Sequence, residues 1–324
     1  MREIRRILFI RSDRLGDVLM NLPAFRVLRK TYPKAWITLL ADRSISDLFN
    51  EHPDIDELIS VNTDTLLKDH AKQWELLRKI RAIHFDLGVA SNPCKFFHQL
   101  LFLSGIPIRV GWRRKWAFCL NRSLPDTKGK MTKHEIDSNL DLVGLVSNEK
   151  WDGQFSIFED KKSMESIRAF LGSMDAPCLV AVHPGTSNPE KRWGHEKFVE
   201  LCKRLQSIDR CQVVLIGGEE ETALSRAIAE QLPKPALDLT GKLKLKELAA
   251  LFKELRVKTL VSSDSGPVHV AWMSGTPVVA LYAKNVPGSD PKRWGPRDGK
   301  SEVIFKEMDE ISVEEVWERV KRFV

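Results

Sequence analysis

The sequence has 324 residues, of which 43% are hydrophobic and 29% are charged, a composition typical of a globular protein and long enough for two domains with full cores. This composition excludes an intrinsically disordered chain, and no window approaches the roughly 20 consecutive apolar residues of a membrane-spanning helix. The formal net charge of +7 fits a polyanionic partner, which could be nucleic acid, an anionic membrane surface or a phosphorylated substrate, although a solvated basic face is the simpler interpretation.

Neither the N-terminus nor the cysteines indicate export. The basic N-terminus leads directly into a predicted strand instead of a signal-peptide core. The five cysteines include no C-x-x-C pair, so the sequence predicts core thiols rather than a disulfide framework or a zinc site. We therefore expect the protein in the cytoplasm.

The first half of the chain alternates predicted strands with predicted helices, which indicates a parallel sheet covered on both faces. The predicted strands cover residues 7–10, 36–41, 58–61, 87–90 and 108–112, and the predicted helices cover residues 18–30, 45–50, 66–83, 93–103 and 134–146. Ligands of such doubly wound sheets bind at the carboxyl ends of the strands. The same sequence lacks a G-x-G-x-x-G fingerprint, which disfavours a nicotinamide-dependent enzyme.

Two polar loops of the first half follow predicted strands. The loop at residues 12–17 carries Asp13 and Asp17, and the loop at residues 113–116 is basic and aromatic. Because both loops follow strand ends, we expect them at the binding edge of the sheet.

The second half begins a new alternation after residue 160, where we expect the domain boundary. Its predicted strands cover residues 178–182, 212–218, 237–240 and 259–261, and its predicted helices cover residues 163–171, 195–206, 245–255 and 313–323. The loop after the first of these strands, residues 183–194, offers Thr186, Ser187 and Lys191. Hydroxyls, backbone N–H groups and a lysine suit a diphosphate. The alternative is an ordinary turn rich in glycine and proline that binds no ligand.

The stretch at residues 257–284 predicts a strand, a loop, a short helix and another strand. Pro267 suits the first turn of the helix, and Gly275 with Pro277 ends it. Asp264 or Ser265 can cap this helix, and Gly266 lets a ligand approach its N–H groups, so the segment predicts a phosphate site. The alternative is a plain helix cap, with His269 packed against Trp272.

Two further features lie in loops of the second half. Residues 219–221 are three glutamates at a predicted helix start, where the helix dipole favours acidic residues, although a glutamate there could also hold a ribose diol. The tetrapeptide Lys-Arg-Trp-Gly occurs at residues 191–194 and again at 292–295, and we expect both copies over the same sheet edge.

Taken together, these motifs resemble the heptosyltransferases, family 9 of the glycosyltransferases, which build the inner core of lipopolysaccharide. The resemblance rests on seven short segments in the family order, at residues 14–23, 183–186, 191–193, 217–218, 239–241, 264–269 and 291–296. It implies an α/β fold of the GT-B class, in which two Rossmann-like domains face each other across a cleft.

The resemblance also implies the roles of the two domains. Residues 1–160 would bind the acceptor, and residues 161–324 would bind a nucleotide sugar, typically ADP-L-glycero-β-D-manno-heptose. The final helix, at about residues 312–324, would pack back on the first domain. The matched donor residues are Thr186, Ser187 and Lys191 for the diphosphate, with Ser265 and Gly266 beside them, Asp264 and His269 for the sugar or its phosphate, Glu221 for the ribose, and Lys242 and Leu243 for the adenine. The run Glu219, Glu220, Glu221 leaves the register of the ribose contact open.

The family reaction is inverting and needs a general base for the acceptor hydroxyl. Asp17 matches the family base, and Asp13 is the rival carboxylate. No D-x-D motif accompanies the nucleotide site, so the resemblance implies neither a metal nor another cofactor.

The acceptor is the least specified ligand. The resemblance places it near Asp13 and five arginines, namely Arg11, Arg14, Arg109, Arg113 and Arg114. These arginines suit phosphates or carboxylates on a lipid A core, and they suit an anionic inner-leaflet surface equally well. We expect a monomer in peripheral contact with the cytoplasmic face of the inner membrane. Three alternatives stay open: a transferase for another nucleotide sugar, a nucleotide-binding protein that transfers nothing, and a nucleic-acid binder, which the lack of a nucleic-acid motif disfavours.

Overall fold

The computed structural model describes residues 3–155, 157, 160–172 and 176–324. Its contacts divide the chain into two units, Met1–Phe158 and Glu159–Val324. The division lies two residues before the predicted boundary.

A six-stranded parallel sheet forms the centre of the first unit. Its strands are β1 (Arg6–Ile10), β2 (Trp36–Asp42), β3 (Glu57–Val61), β4 (Leu87–Ala90), β5 (Ile108–Arg113) and β6 (Arg122–Pro125), in the order β3-β2-β1-β4-β5-β6. The helices are α1 (Leu15–Leu19), α2 (Leu22–Thr31), α3 (Arg43–Ser46), α4 (Thr63–Lys68), α5 (His70–Ile83), α6 (Lys95–Leu103) and α7 (Glu135–Val143).

The second unit repeats this architecture. Its strands are β7 (Cys178–His183), β8 (Cys211–Leu215), β9 (Leu237–Asp238), β10 (Val257–Ser263), β11 (Val278–Ala283) and β12 (Glu302–Lys306), all parallel and in the order β12-β11-β10-β7-β8-β9. The helices are α8 (Lys161–Leu171), α9 (His195–Gln206), α10 (Thr222–Ala229), α11 (Leu245–Lys253), α12 (Gly266–Ser274), α13 (Pro291–Trp294) and α14 (Val313–Val320).

In both sheets the order in which the chain adds strands reverses at the equivalent position. The first strand of each unit lies beside the fourth, so β1 pairs with β4 and β7 pairs with β10. Chain connections leave these neighbouring strands toward opposite sides, which opens a crevice at their carboxyl ends. The loops after β1, β4, β7 and β10 are therefore the places where each unit is built to bind a ligand.

The predicted helices at residues 18–30 and 66–83 are each two helices in the structure. Pro23 has no N–H for the carbonyl of Leu19, so α1 ends and α2 begins there. Asp69 accepts hydrogen bonds from the N–H groups of Ala71 and Lys72 at 2.9 and 3.2 Å, which starts α5 as a separate helix. Because α1 begins at Leu15, the predicted loop residue Asp17 lies in a first helical turn.

The final helix packs within its own unit. Val316 and Val320 of α14 are fully buried in the core of the second unit, together with Leu201 and Leu205 of α9. The expected packing of α14 on the first domain stays a prediction. An apolar helical stripe does not by itself specify which element it contacts.

Candidate active site

Arg11 follows β1 directly and organises the switch point of the first sheet. Its side chain is only 3% exposed. The guanidinium donates hydrogen bonds to Asp13 Oδ1 through Nε and to Asp17 Oδ1 through Nη2, both at 2.6 Å. Nη1 donates to the carbonyl oxygen of Ser91 at 3.1 Å, and Ser91 follows β4. One buried arginine therefore joins the two strand ends that flank the crevice and holds both candidate carboxylates.

The charges at this position shift the pKa values of Arg11 and Asp13. Burial lowers the pKa of Arg11, but the carboxylates of Asp13, Asp17 and Glu135 raise it further, so that the net shift is upward. Burial raises the pKa of Asp13, and the charge of Asp17 adds to this, although Arg11 opposes both. Two acidic side chains thus share one permanent cation, and Asp13 holds its proton more readily than an exposed aspartate.

A second layer of polar residues supports this arrangement. Asn21 Nδ2 donates to the main-chain oxygen of Asp17 at 2.8 Å, and Ser91 Oγ donates to Asn21 Oδ1 at 2.8 Å. Glu135 is fully buried, with Nη1 of Arg11 at 3.6 Å and Lys128 as an ion-pair partner. The sequence did not predict roles for these residues, because they come from segments distant in the chain that no local pattern connects.

The structure divides the arginines that the sequence grouped as acceptor ligands. Arg14, Arg113 and Arg114 are exposed after β1 and at the end of β5, and Arg114 lies 3.4 Å from Asp126. Arg11 differs from these three arginines, because it is buried and bound to carboxylates. Its expected contact with the acceptor stays a prediction.

Arg109 lies at the start of β5, away from the carboxyl edge. It donates to the carbonyl oxygens of Cys119 and Ile106 at 2.7 and 2.6 Å. These bonds tie the guanidinium to the backbone of its own segment, and the expected contact of Arg109 with the acceptor stays a prediction.

In the second unit His183, the last residue of β7, occupies the equivalent switch point. Its Nδ1 lies 2.9 Å from Ser262 Oγ of β10 and 3.2 Å from Ser265 Oγ. Its Nε2 lies 3.0 Å from Glu221 Oε2. A buried imidazole thus joins the loops after β7, β8 and β10, which is the set of loops that the sequence predicted for the donor.

Of the three consecutive glutamates at residues 219–221, Glu221 is the one that contacts His183 of β7. The N–H of Gly218 donates to Glu221 Oε2 at 2.8 Å, whereas Glu219 and Glu220 are exposed. Burial raises the pKa of Glu221, but the bonds from His183 and Gly218 lower it below its usual value. The carboxylate lies so close to the next loop that a Cβ on Gly185 would stand 1.6 Å from Glu221 Oε1.

The other predicted diphosphate residues lie at this edge. Lys191 Nζ is 2.6 Å from Asp264 Oδ2, and Ser289 Oγ donates to the same oxygen at 3.0 Å. Thr186 is buried and Ser187 is exposed in the loop after β7.

Helix α12 begins with Gly266, one of the predicted phosphate ligands, after Ser265 at its N-cap position. The hydroxyl of Ser265 makes no capping hydrogen bond and bonds to Ser262 at 3.0 Å instead. The sequence-based expectation of a side-chain cap is therefore wrong, because the buried imidazole network engages this hydroxyl. Gly275 ends α12 as predicted, and it does so in the left-handed conformation, with φ +100°.

His269 and the two residues predicted to border the adenine are the last of the predicted donor ligands. His269 is buried, and Trp272 Nε1 donates to its Nδ1 at 3.4 Å, so the packing contact of the plainer interpretation is present. Lys242 and Leu243 follow β9, and Lys242 Nζ donates to the carbonyl oxygen of Asp238 at 2.6 Å.

The two copies of Lys-Arg-Trp-Gly make different contacts. Trp193 is fully buried and donates from Nε1 to the carbonyl oxygen of Ile311 at 2.8 Å. Trp294 instead accepts a bond from Tyr282 Oη at its carbonyl oxygen, at 3.1 Å. The first copy thus anchors its loop through Trp193, which positions Lys191.

A comparison with protein families identifies the family of this chain. The sequence profile described as "Glycosyltransferase family 9 (heptosyltransferase)" matches residues 73–318. The chain belongs to this family. It is thus a glycosyltransferase of the GT-B class, with the two parallel α/β units that the sequence predicted.

Relatives of this family 9 glycosyltransferase align over most of its length. Lipopolysaccharide heptosyltransferase 2 of Escherichia coli is 27% identical over 316 residues, which cover 92% of this chain and 87% of the relative. A putative glycosyltransferase of Haemophilus influenzae is 27% identical over 305 residues, covering 90% of this chain and 86% of the relative.

Solved structures share the fold of this glycosyltransferase. A glycosyl transferase family 9 structure from Veillonella parvula superposes with a TM-score of 0.87 at 24% identity, covering 100% of this chain and 98% of that one. An E. coli heptosyltransferase bound to ADP-2-deoxy-2-fluoro heptose gives a TM-score of 0.76 at 17% identity, covering 98% and 100%.

Metal-ligand clusters and membrane-spanning helices are both absent from the described ranges of this glycosyltransferase. No group of three or more His, Cys, Asp or Glu side chains there is arranged to hold a metal ion. Among the same residues, no helix has the length and apolar character required to cross a bilayer.

Proposed function

We propose that this glycosyltransferase moves a heptose from ADP-L-glycero-β-D-manno-heptose to the inner core of lipopolysaccharide, with inversion at the anomeric carbon. The observation that carries the proposal is the pairing of Asp17 with the buried Arg11 at the switch point of the first sheet. The names of the relatives supply the sugar, since several are lipopolysaccharide heptosyltransferases.

Asp17 acts as the general base in this proposal. It accepts the proton of an acceptor hydroxyl while that oxygen attacks the anomeric carbon, and the bond from this carbon to the diphosphate oxygen breaks with its electron pair going to ADP. Attack from the face opposite the leaving group inverts the configuration. Arg11 holds the carboxylate in place, and the main-chain bond from Asn21 fixes the first turn of α1.

The second unit binds the donor. Thr186, Ser187 and Lys191 hold the diphosphate together with the N–H groups at the start of α12, so that charge developing on the leaving group meets a lysine and a helix N-terminus. This set of donors can stabilise the leaving diphosphate without a metal.

The remaining donor contacts follow the loops of the second sheet. Glu221 accepts hydrogen bonds from the ribose diol, and the loop at Lys242 and Leu243 borders the adenine. Asp264 and His269 contact the sugar or its phosphate. An enzyme that uses another nucleotide sugar with the same diphosphate site is the second candidate.

The acceptor binds the first unit. Arg14, Arg113 and Arg114 are the exposed cations at its carboxyl edge and suit the phosphates or carboxylates of a lipid A core. Such an acceptor lies at the cytoplasmic face of the inner membrane, where we propose that the enzyme acts as a monomer.

A ligand screen tests the donor assignment. Binding to the folded state raises its stability, and at equal concentration a tighter ligand raises it more, so ADP-heptose should raise the melting temperature more than UDP- or GDP-sugars. ADP-heptose should also label a lipid A–Kdo acceptor with heptose. A larger shift with a UDP- or GDP-sugar would favour the second candidate, and binding without any transfer would favour a non-catalytic protein.

A further inference from the structure

One stretch of the first unit carries no acidic residue. Residues 87–125 contain no aspartate or glutamate, although 44 of the 324 residues in the chain are acidic. The same stretch holds six cations, namely Lys95, Arg109, Arg113, Arg114, Lys115 and Arg122. A surface with this composition carries a positive potential and attracts an anionic partner.

The stretch also exposes large apolar side chains. Helix α6 has no charged residue after Lys95, and its last residues, Phe102 and Leu103, are 47% and 52% exposed. In the crossover from β5 to β6, Trp116 is 38% exposed and Phe118 is 71% exposed. The solvent-facing side of a surface helix is normally polar, so this apolar face indicates a partner that replaces water.

Cations are interleaved with these apolar groups. The Trp116 and Phe118 rings lie 5.2 Å apart, Lys95 Nζ stands 4.5 Å above the Trp116 ring, and Arg109 Cζ stands 5.3 Å from the Phe102 ring. We call the set Lys95, Phe102, Leu103, Arg114, Lys115, Trp116 and Phe118 the aromatic–basic stripe.

The backbone holds Trp116 outward in an unusual conformation. Its φ is +61°, a left-handed value that few residues other than glycine adopt. The turn is closed by the bonds from the Ala117 N–H to the Arg114 carbonyl oxygen and from the Cys119 N–H to the Trp116 carbonyl oxygen, at 3.2 and 3.1 Å. Strain of this kind persists where the surrounding structure enforces it, and here it keeps a tryptophan at the surface.

We propose that the aromatic–basic stripe docks this protein on an anionic phospholipid surface. Tryptophan and phenylalanine suit the boundary between headgroups and acyl chains, and the lysines and arginines beside them pair with lipid phosphates. A second copy of the chain fits less well, because a symmetric interface would bring like charges together. The proposal deepens the proposed function, since a lipid-anchored acceptor lies at such a surface, but it does not depend on which sugar is transferred.

Vesicle co-sedimentation of the full chain tests this proposal. The vesicles are pure phosphatidylcholine or phosphatidylcholine with about 30 mol% phosphatidylglycerol. The parent should bind the anionic vesicles, more weakly at high salt, and should not bind the neutral ones. Trp116→Ser with Phe118→Ser should weaken binding about tenfold or more, and Arg114→Gln with Lys115→Gln should weaken it to a similar degree.

A matched control removes another exposed tryptophan. Trp74 on α5 is 60% exposed and lies outside the acid-free stretch, so Trp74→Ser should bind vesicles like the parent. All variants should keep the parent melting temperature and its increase with ADP, because the substituted side chains are exposed in the first unit.

The proposal would be overturned by equal binding of parent and stripe variants, by equal binding to neutral and anionic vesicles, or by tighter binding of a single-stranded oligonucleotide than of vesicles. Concentration-dependent dimers that the stripe substitutions abolish, without vesicle binding, would assign the stripe to a second copy instead. Heptose transfer to a delipidated acceptor separates the two proposals. Transfer without vesicle binding would refute the stripe alone, and vesicle binding without transfer would refute the proposed function alone.

Discussion

Lys191 and Asp264 form an ion pair at the carboxyl edge of the second sheet, with Nζ 2.6 Å from Oδ2. Lys191 comes from the loop after β7 and Asp264 from the loop after β10, the two strands that flank the switch point. Ser289 holds the same carboxylate oxygen. The pair places a cation where we propose that the diphosphate binds, so that donor binding replaces part of this pair with phosphate oxygens.

Replacing Lys191 with alanine should weaken ADP binding. A lysine contributes charge-assisted hydrogen bonds of about 1.5 to 3 kcal/mol each, or roughly a 10- to 100-fold change in affinity. Isothermal titration with ADP measures this change. The matched control is Lys292→Ala in the second copy of the tetrapeptide, which is exposed and should leave affinity unchanged. Equal ADP affinity in Lys191→Ala and the parent would remove Lys191 from the donor site.

Gly185→Ala should displace Glu221. The new Cβ would stand 1.6 Å from Glu221 Oε1, so the carboxylate must leave its bonds with His183 and Gly218. We expect a lower melting temperature and weaker ADP binding, both measured by thermal shift. Gly129→Ala is the control, because a Cβ there meets nothing within 4 Å. Unchanged ADP affinity in Gly185→Ala would argue against Glu221 as the ribose ligand.

Glu221 should also make stability depend on pH. Its pKa is lowered in the folded state by His183 and Gly218 against the opposing effect of burial. Its stabilisation is therefore present above the usual glutamate pKa of about 4.3 and is lost as the pH falls through the lowered value. The melting temperature of the parent should exceed that of Glu221→Gln at neutral pH, and this difference should shrink below pH of about 4. A difference that grows on acidification would contradict the assigned contacts.

Transfer should continue in EDTA. Hydroxyls, Lys191 and the start of α12 are proposed to stabilise the leaving diphosphate in place of a metal. Turnover is measured with and without chelator on the same preparation. Loss of turnover that Mg²⁺ or Mn²⁺ restores would show that this part of the proposal is wrong.

Sequence patterns predicted the alternating architecture and most of the loops that form the two sites. The loops with Asp13, Lys191 and Asp264 follow β1, β7 and β10 in the structure as expected, because strand ends and glycine-rich loops are local signals. Strand β6 at Arg122–Pro125 was not predicted, since it is short and carries little apolar sequence.

The burial of Arg11 could not be predicted from the sequence. It depends on the pairing of β1 with β4, which brings Ser91 to a residue 80 positions away, and on Glu135 from α7. The position of Arg109, in contrast, follows from the sequence. The predicted strand at residues 108–112 starts at the same residue as β5, so it already places Arg109 at the amino end and Arg113 at the carboxyl end.

Asp13 and Asp17 both bond to Arg11 at 2.6 Å, so their bond lengths do not show which one is the base. Substitutions that remove the proton-accepting carboxylate distinguish them. Asn at either position keeps the size of the side chain and one acceptor oxygen for Arg11, and it removes the carboxylate that accepts a proton. The fold and the donor site should therefore change little in both variants.

The most direct test of the account is the turnover of Asp17→Asn beside Asp13→Asn, with ADP affinity measured for each. General-base catalysis is typically worth about 10²- to 10⁴-fold, so Asp17→Asn should lose turnover by that order while its ADP affinity stays within a few-fold of the parent, and Asp13→Asn should be milder. Turnover near the parent rate in Asp17→Asn, or loss confined to Asp13→Asn, would contradict the assignment of Asp17 as the base.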